Sequence, residues 1–96
     1  MTTDPVLLYI RESARRSGIL KRVVLYGSRA RGDHHERSDY DIALEFLPAA
    51  QEGQISRFML DLVENSPTLL KLDLVVLGEQ LNPALRASID RDGVLV

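Results

Sequence analysis

An α/β two-layer sandwich is the fold class this sequence predicts, and three observations predict it. Amphipathic stretches at helical spacing alternate along the chain with short apolar runs of strand length. One of those runs alternates strictly between apolar and polar residues, as a strand with one core face does. Glycine and proline punctuate nearly every join, so the order reads α-β-α-β-α-β-α, and each helix can cover a sheet face. The expected sheet is small and mixed, with three to four strands and about four helices. At 96 residues the chain has room for one domain, residues 1–96.

Asp4 followed by Pro5 reads as an N-cap and first helical residue, and Gly18 as the stop, giving a helix from Pro5 to Ser17. Arg22 to Tyr26 is short, β-branched and apolar on both faces, which suits a strand covered on both sides, and Gly27 ends it. Ser28 to Gly32 reads as a turn entering a short helix. From Tyr40, residues Tyr40, Ile42, Leu44 and Phe46 face one way and Asp39, Asp41, Ala43 and Glu45 the other, up to Pro48. Ile55, Phe58, Met59, Leu62 and Val63 form an apolar stripe on a helix from Gln51 to Asn65. Leu70 to Leu77 reads as a further strand, otherwise buried around Asp73. Asn82-Pro83 opens a last helix that stops at Gly93, and Val94 to Val96 reads as a short terminal strand.

Composition narrows the function classes. The chain has no cysteine, which excludes disulfides, thiolate metal sites and cysteine nucleophiles. A hydrophobic share of 45% and a charged share of 27% are those of a packed globular protein. The apolar runs Val23–Tyr26 and Leu74–Leu77 are too short to cross a bilayer, and Met1-Thr2-Thr3-Asp4-Pro5 lacks the pattern of a leader, so a cytoplasmic protein with no membrane partner is expected. The net charge of -2 conceals an asymmetry: residues 11–37 hold eight Arg or Lys against three acids, and residues 38–96 hold four against ten. One segment could attract phosphates and the other cations, although two solvated faces of opposite sign would look the same.

Three features carry candidate chemistry. At Leu25-Tyr26-Gly27-Ser28-Arg29 a strand stops at glycine and enters a helix, where unpaired N–H donors and the helix dipole favour an anion. Taken alone it is also an ordinary turn. Asp39 and Asp41, two apart on a strand, project from one face, close enough to share a hard cation such as magnesium. The competing reading is a turn cap at an exposed strand mouth. Asp73, isolated among Leu72, Leu74, Val75 and Val76, is costly to bury without a partner or a metal. Its alternative is an edge-strand acid in water or paired with Lys71 or Arg86. His34 and His35 are adjacent in a loop and cannot easily face one ion, so they read as solvated.

Gly27-Ser28, ten residues, then Asp39-Tyr40-Asp41 resembles the signature of the minimal nucleotidyltransferases of the DNA polymerase beta superfamily. The likeness extends through Gly27-Ser28-Arg29-Ala30-Arg31-Gly32, Ser38 to Leu44 and Leu72-Asp73-Leu74-Val75, and so spans nearly the whole chain. The segment Asp33-His34-His35-Glu36-Arg37 departs most from the pattern. The resemblance implies a nucleotidyltransferase fold and transfer of a nucleoside monophosphate from a triphosphate to a hydroxyl with two magnesium ions. Asp39 and Asp41 would be ligands of both, and Asp73 a ligand of the nucleophile-side ion, either as that alone or also as the base. Gly27 and Ser28 would hold the β- and γ-phosphates. Arg29 or Arg31 would add charge, and being two apart on a short helix, only one is expected to reach the phosphates.

A chain of this length is expected to lack the extra domain with which antibiotic-modifying members grip their substrates, so a macromolecular acceptor is expected. The resemblance then points to the antitoxin of HEPN/MNT toxin–antitoxin pairs, which moves AMP from ATP to a tyrosine of a HEPN ribonuclease toxin; direct nucleic-acid binding is not expected. Two alternatives stand beside it: an antitoxin that neutralises by binding alone, and a small-molecule nucleotidyltransferase completed by a partner subunit.

Overall fold

Asp4 begins the first helix in the way Pro5 predicts. In the computed structural model, which describes residues 3–96, its Oδ1 accepts from the N–H groups of Val6 at 2.8 Å and Leu7 at 3.4 Å, and α1 runs Pro5–Ser17. Met1 and Thr2, the start of the stretch inspected for a leader, lie outside the described residues. Helix α1 presents Val6, Leu7 and Ile10 to the sheet. Strand β1 (Leu20–Tyr26) begins two residues before Arg22, because Leu20 still pairs with Phe46 and Arg22 with Glu45 across an irregularity at Lys21, while the Lys21 and Arg22 side chains reach out to Glu45. The short helix α2 (Ser28–Arg31) follows Gly27, and β2 spans Tyr40–Phe46.

Helix α3 (Glu52–Glu64) opens with a reciprocal Gln51–Gln54 capping box and buries Phe58 and Leu62. Val63, the outer member of the expected stripe, is 49% exposed. Strand β3 is Leu72–Val76, helix α4 is Pro83–Asp92, and β4 is Val94–Leu95. Asn82 caps α4 by accepting from Ala84 and Leu85. Gly93 ends α4 by close approach rather than by a left-handed turn: its φ is -64°, and a Cβ there would overlap the Ile89 carbonyl and lie 2.6 Å from Val24 Cγ1.

The four strands order β3-β2-β1-β4. β1 runs antiparallel to both β2 and β4, whereas β2 and β3 are parallel, as their connection through α3 requires. The sheet is therefore mixed, and β1, central in it, is covered on both faces as its composition predicts. Val23 and Leu25 join Ile42 and Leu44 under α1 and α3, where Ile10, Ile42, Leu44 and Leu62 are fully enclosed. Each such side chain contributes about 1.5–3 kcal/mol relative to exposure. Phe46 meets Phe58 edge to face at 6.0 Å, and the Tyr9 hydroxyl donates to the Leu62 carbonyl at 2.8 Å, tying α1 to the end of α3. Val24, Tyr26 and Ala43 face the other way, into a smaller core closed by Leu77 and Ile89. No helix among the described residues is long and apolar enough to cross a membrane.

Candidate active site

Strand register sets the site. Tyr26 at the end of β1 lies opposite Asp41 on β2, and Asp41 lies opposite Asp73 on β3, so the three form one row across the sheet. Period-two alternation puts the Asp41 side chain on the face of Ala43, away from the large core of Ile42 and Leu44. Asp39 stands two residues earlier, just before β2 begins.

Gly27 joins this row to the turn. Its φ of +73° and ψ of -156° are open to glycine alone, and a Cβ on it would overlap the Asp41 carboxylate. The carboxylate of Asp41 thus rests on the bare backbone where α2 begins. The first N–H groups of α2 have no partner within the helix and open toward the same end of the sheet. Ala30 and Arg31 N–H groups return to the Gly27 carbonyl at 3.1 and 3.0 Å, fixing the turn.

The acids feel one another. Burial raises the pKa of Asp41, and the charges of Asp73 and Asp39 raise it further, against weaker opposing effects of Arg31 and Lys71. Tyr26 is shifted up by burial first and then by Asp41 and Asp73. Among the described residues no three acidic or histidine side chains close on a common point. The acids form an open rim, not a closed cage. Asp73 is exposed rather than buried, because β3 is the edge strand of the sheet. Among the described residues no ion pair joins it to Lys71 or Arg86, and Arg86 donates instead to the Gly78 carbonyl.

The two arginines of α2 diverge. Arg31 pairs with Asp33 at 3.1 Å and Asp92 at 3.8 Å and lies near enough to lower the pKa of Asp41. Arg29 turns away, stacks on the Tyr40 ring at 4.0 Å and donates to the carbonyls of Ser38 and Glu36. His34 and His35 are exposed, and His35 Nδ1 accepts from the Arg37 N–H at 3.3 Å within the loop. A cleft of about 420 Å³ between α1 and α3, lined by Tyr9, Arg16, Phe58 and Asp61 among others, contains none of Asp39, Asp41 and Asp73.

Residues 9–96 match the family described as polymerase beta, nucleotidyltransferase. The chain belongs to this nucleotidyltransferase family. Two proteins of Methanocaldococcus jannaschii, both named as protein adenylyltransferases, are similar to it. One is 32% identical over 80 residues, covering 80% of this chain and 76% of the relative. The other is 36% identical over 81 residues, covering 80% and 77%. Among solved structures, a toxin–antitoxin crystallised with AMP-PNP shares the fold with a TM-score of 0.65 at 23% identity, over 92% of this chain and 69% of that one.

Two residues beside the acids give no sign of the role in the sequence. Tyr26 reads there as one more apolar strand residue, yet it is buried at the end of the acidic row. Lys71 reads as a partner for Asp73, yet its charge is felt at Asp41, and its carbonyl accepts from the Tyr40 N–H at 3.0 Å. Only the strand order could have revealed either.

Proposed function

We propose that this nucleotidyltransferase transfers AMP from ATP to a hydroxyl of a partner protein, namely a tyrosine of a HEPN ribonuclease toxin for which it is the cytoplasmic antitoxin. The observation that carries the reading is the Tyr26–Asp41–Asp73 row with Asp41 resting on Gly27, which brings a carboxylate rim against a helix-opening turn. The names of the two relatives support adenylyl transfer to protein, and the toxin–antitoxin neighbour supports the kind of partner.

The donors fit magnesium. Asp39, Asp41 and Asp73 offer hard carboxylate oxygens on an open rim, and a cation would relieve both the burial and the neighbouring negative charge that raise the Asp41 pKa. Asp39 and Asp41 would hold the ions, two in number, with Asp73 on the nucleophile side. When bound, the ions supply charge neutralisation of the phosphates and a lower pKa for the attacking hydroxyl.

The chain's own residues account for binding and proton movement. The N–H groups opening α2 and the Ser28 hydroxyl would hold the β- and γ-phosphates, with Arg31 adding charge from its side of α2. The acceptor oxygen attacks the α-phosphorus, and the bond to the bridging oxygen of the leaving pyrophosphate breaks. The hydroxyl proton passes to Asp73, whose exposure on the edge strand leaves it open to an incoming acceptor.

The test is to incubate the protein with ATP, magnesium and the protein encoded beside it, then weigh both chains intact. A gain of one nucleotide unit on the partner, absent with Asp39→Ala/Asp41→Ala, supports the reading. A tight complex with no mass gain under any nucleoside triphosphate sinks it in favour of neutralisation by binding alone.

A further inference from the structure

The Arg29 side chain turns away from the three aspartates, and what it touches is specific. Its Nε donates to the Ser38 carbonyl at 3.0 Å and its Nη2 to the Glu36 carbonyl at 3.3 Å. Its guanidinium carbon lies 4.0 Å from the centre of the Tyr40 ring. Ser38 and Tyr40 are the two neighbours of Asp39, so one guanidinium grips Asp39 from both sides: by edge at the residue before and by face at the residue after.

Both ends of this brace are anchored. Tyr40 is buried, and its hydroxyl donates to Asp4 Oδ2 at 2.7 Å, while the other oxygen of Asp4 caps α1. On the loop side, the His35 N–H donates to Ser38 Oγ at 3.1 Å and the Ser38 N–H to the His35 carbonyl at 3.0 Å, closing a tight turn before Asp39. Arg29 itself rides on α2, one residue after Ser28. A planar fork with a stackable face is needed for these contacts together, and lysine has neither.

We propose that Arg29 is a positioning residue for metal binding: it fixes the backbone on both sides of Asp39 and locks that carboxylate to the phosphate turn through α2. The inference rests on the nucleotidyl-transfer reading of the site and assigns Arg29 to the metal side of it rather than to phosphate contact. Residues that orient metal ligands without touching the ion change affinity for the ion far more than the general fold.

The experiment titrates manganese into the full chain with a non-hydrolysable ATP analogue by calorimetry, and separately measures the analogue with no metal present. Arg29→Gln is expected to raise the half-saturating manganese concentration about tenfold. Its affinity for the analogue without metal is expected to stay within about twofold, since no phosphate contact is lost. Arg29→Lys, which keeps a cation over the Tyr40 ring but loses the fork, is expected to fall between, at about threefold. Should Arg29→Gln not fold, the lysine variant decides by the same two measurements. An equal loss of metal-free analogue binding would place Arg29 on the phosphates and overturn the proposal, as would no change in either quantity while the wild type binds. A wild type with no manganese-dependent binding overturns the nucleotidyl-transfer reading and this inference with it.

Discussion

Ile42 and Asp41 are consecutive residues of β2, yet Ile42 is sealed under α1 and α3 while Asp41 stands half open among other acids. The contrast extends along the sheet. Beneath α1 and α3 the side chains are apolar, enclosed and fixed by helices with good caps. At the rim, the charges of Asp73 and Asp39 bear on the half-buried Asp41, and Asp73 sits on an edge strand. Period-two alternation lets one strand serve both faces. Stability and chemistry should therefore separate between neighbouring positions, and that can be broken in order of expected effect.

Asp41→Asn should lower the rate of nucleotide transfer to the partner about 10³-fold, equivalent to about 4 kcal/mol of barrier, when followed by intact mass. It should also raise Tm at neutral pH by about 1–3 °C, because the cost of half-burying a carboxylate beside two other acids is removed. The sign follows from the raised pKa: the folded state holds the Asp41 proton more tightly than the unfolded state, whose ordinary value is 3.8. Wild-type stability from this group is thus fully present below 3.8 and lost as pH rises through the folded value, so the advantage of the Asn variant should fade in acid. A Tm for Asp41→Asn below that of wild type at neutral pH would break the separation.

Leu62→Ala, under the fully enclosed face, should cost about 2–5 kcal/mol in denaturant unfolding and leave the transfer rate per folded molecule unchanged. Gly27→Ala falls between the two regions. Its φ and the overlap with Asp41 should cost about 1–3 kcal/mol, with a loss of transfer that persists in the folded fraction. Tyr40→Phe should cost about 1 kcal/mol by losing the bond to Asp4. Burial and the Asp4 bond push the Tyr40 pKa from 10.0 to about 12, so wild-type stability present below pH 10 should decline as pH rises toward 12. That contribution to alkaline unfolding should be absent from the Phe variant.

Much of this arrangement is legible in the sequence because its signals are local. Asp4-Pro5 and Asn82-Pro83 mark helix starts through their own backbone chemistry, and the alternation from Tyr40 to Phe46 assigns faces without knowledge of any neighbour. The exposed state of Asp73 is not legible, because the apolar run around it suits a central strand as well as an edge one, and only strand order distinguishes them. The same limit hides Tyr26 as a neighbour of the acids. Arg29 and Arg31 are separable in sequence as pointing apart, but which faces the acids depends on where β2 returns beside α2.

The contact between Gly27 and Asp41 makes the two positions one unit of heredity. A side chain can enter at position 27 only if the carboxylate at 41 moves out of its way, so variants at the two sites should be non-additive: with Asp41 cut back to glycine, Gly27→Ala should lose the cost of the overlap and keep only that of its positive φ. A lineage that abandons the acid lifts the steric half of the constraint on position 27 and leaves the positive φ, whereas one that keeps the acid keeps both.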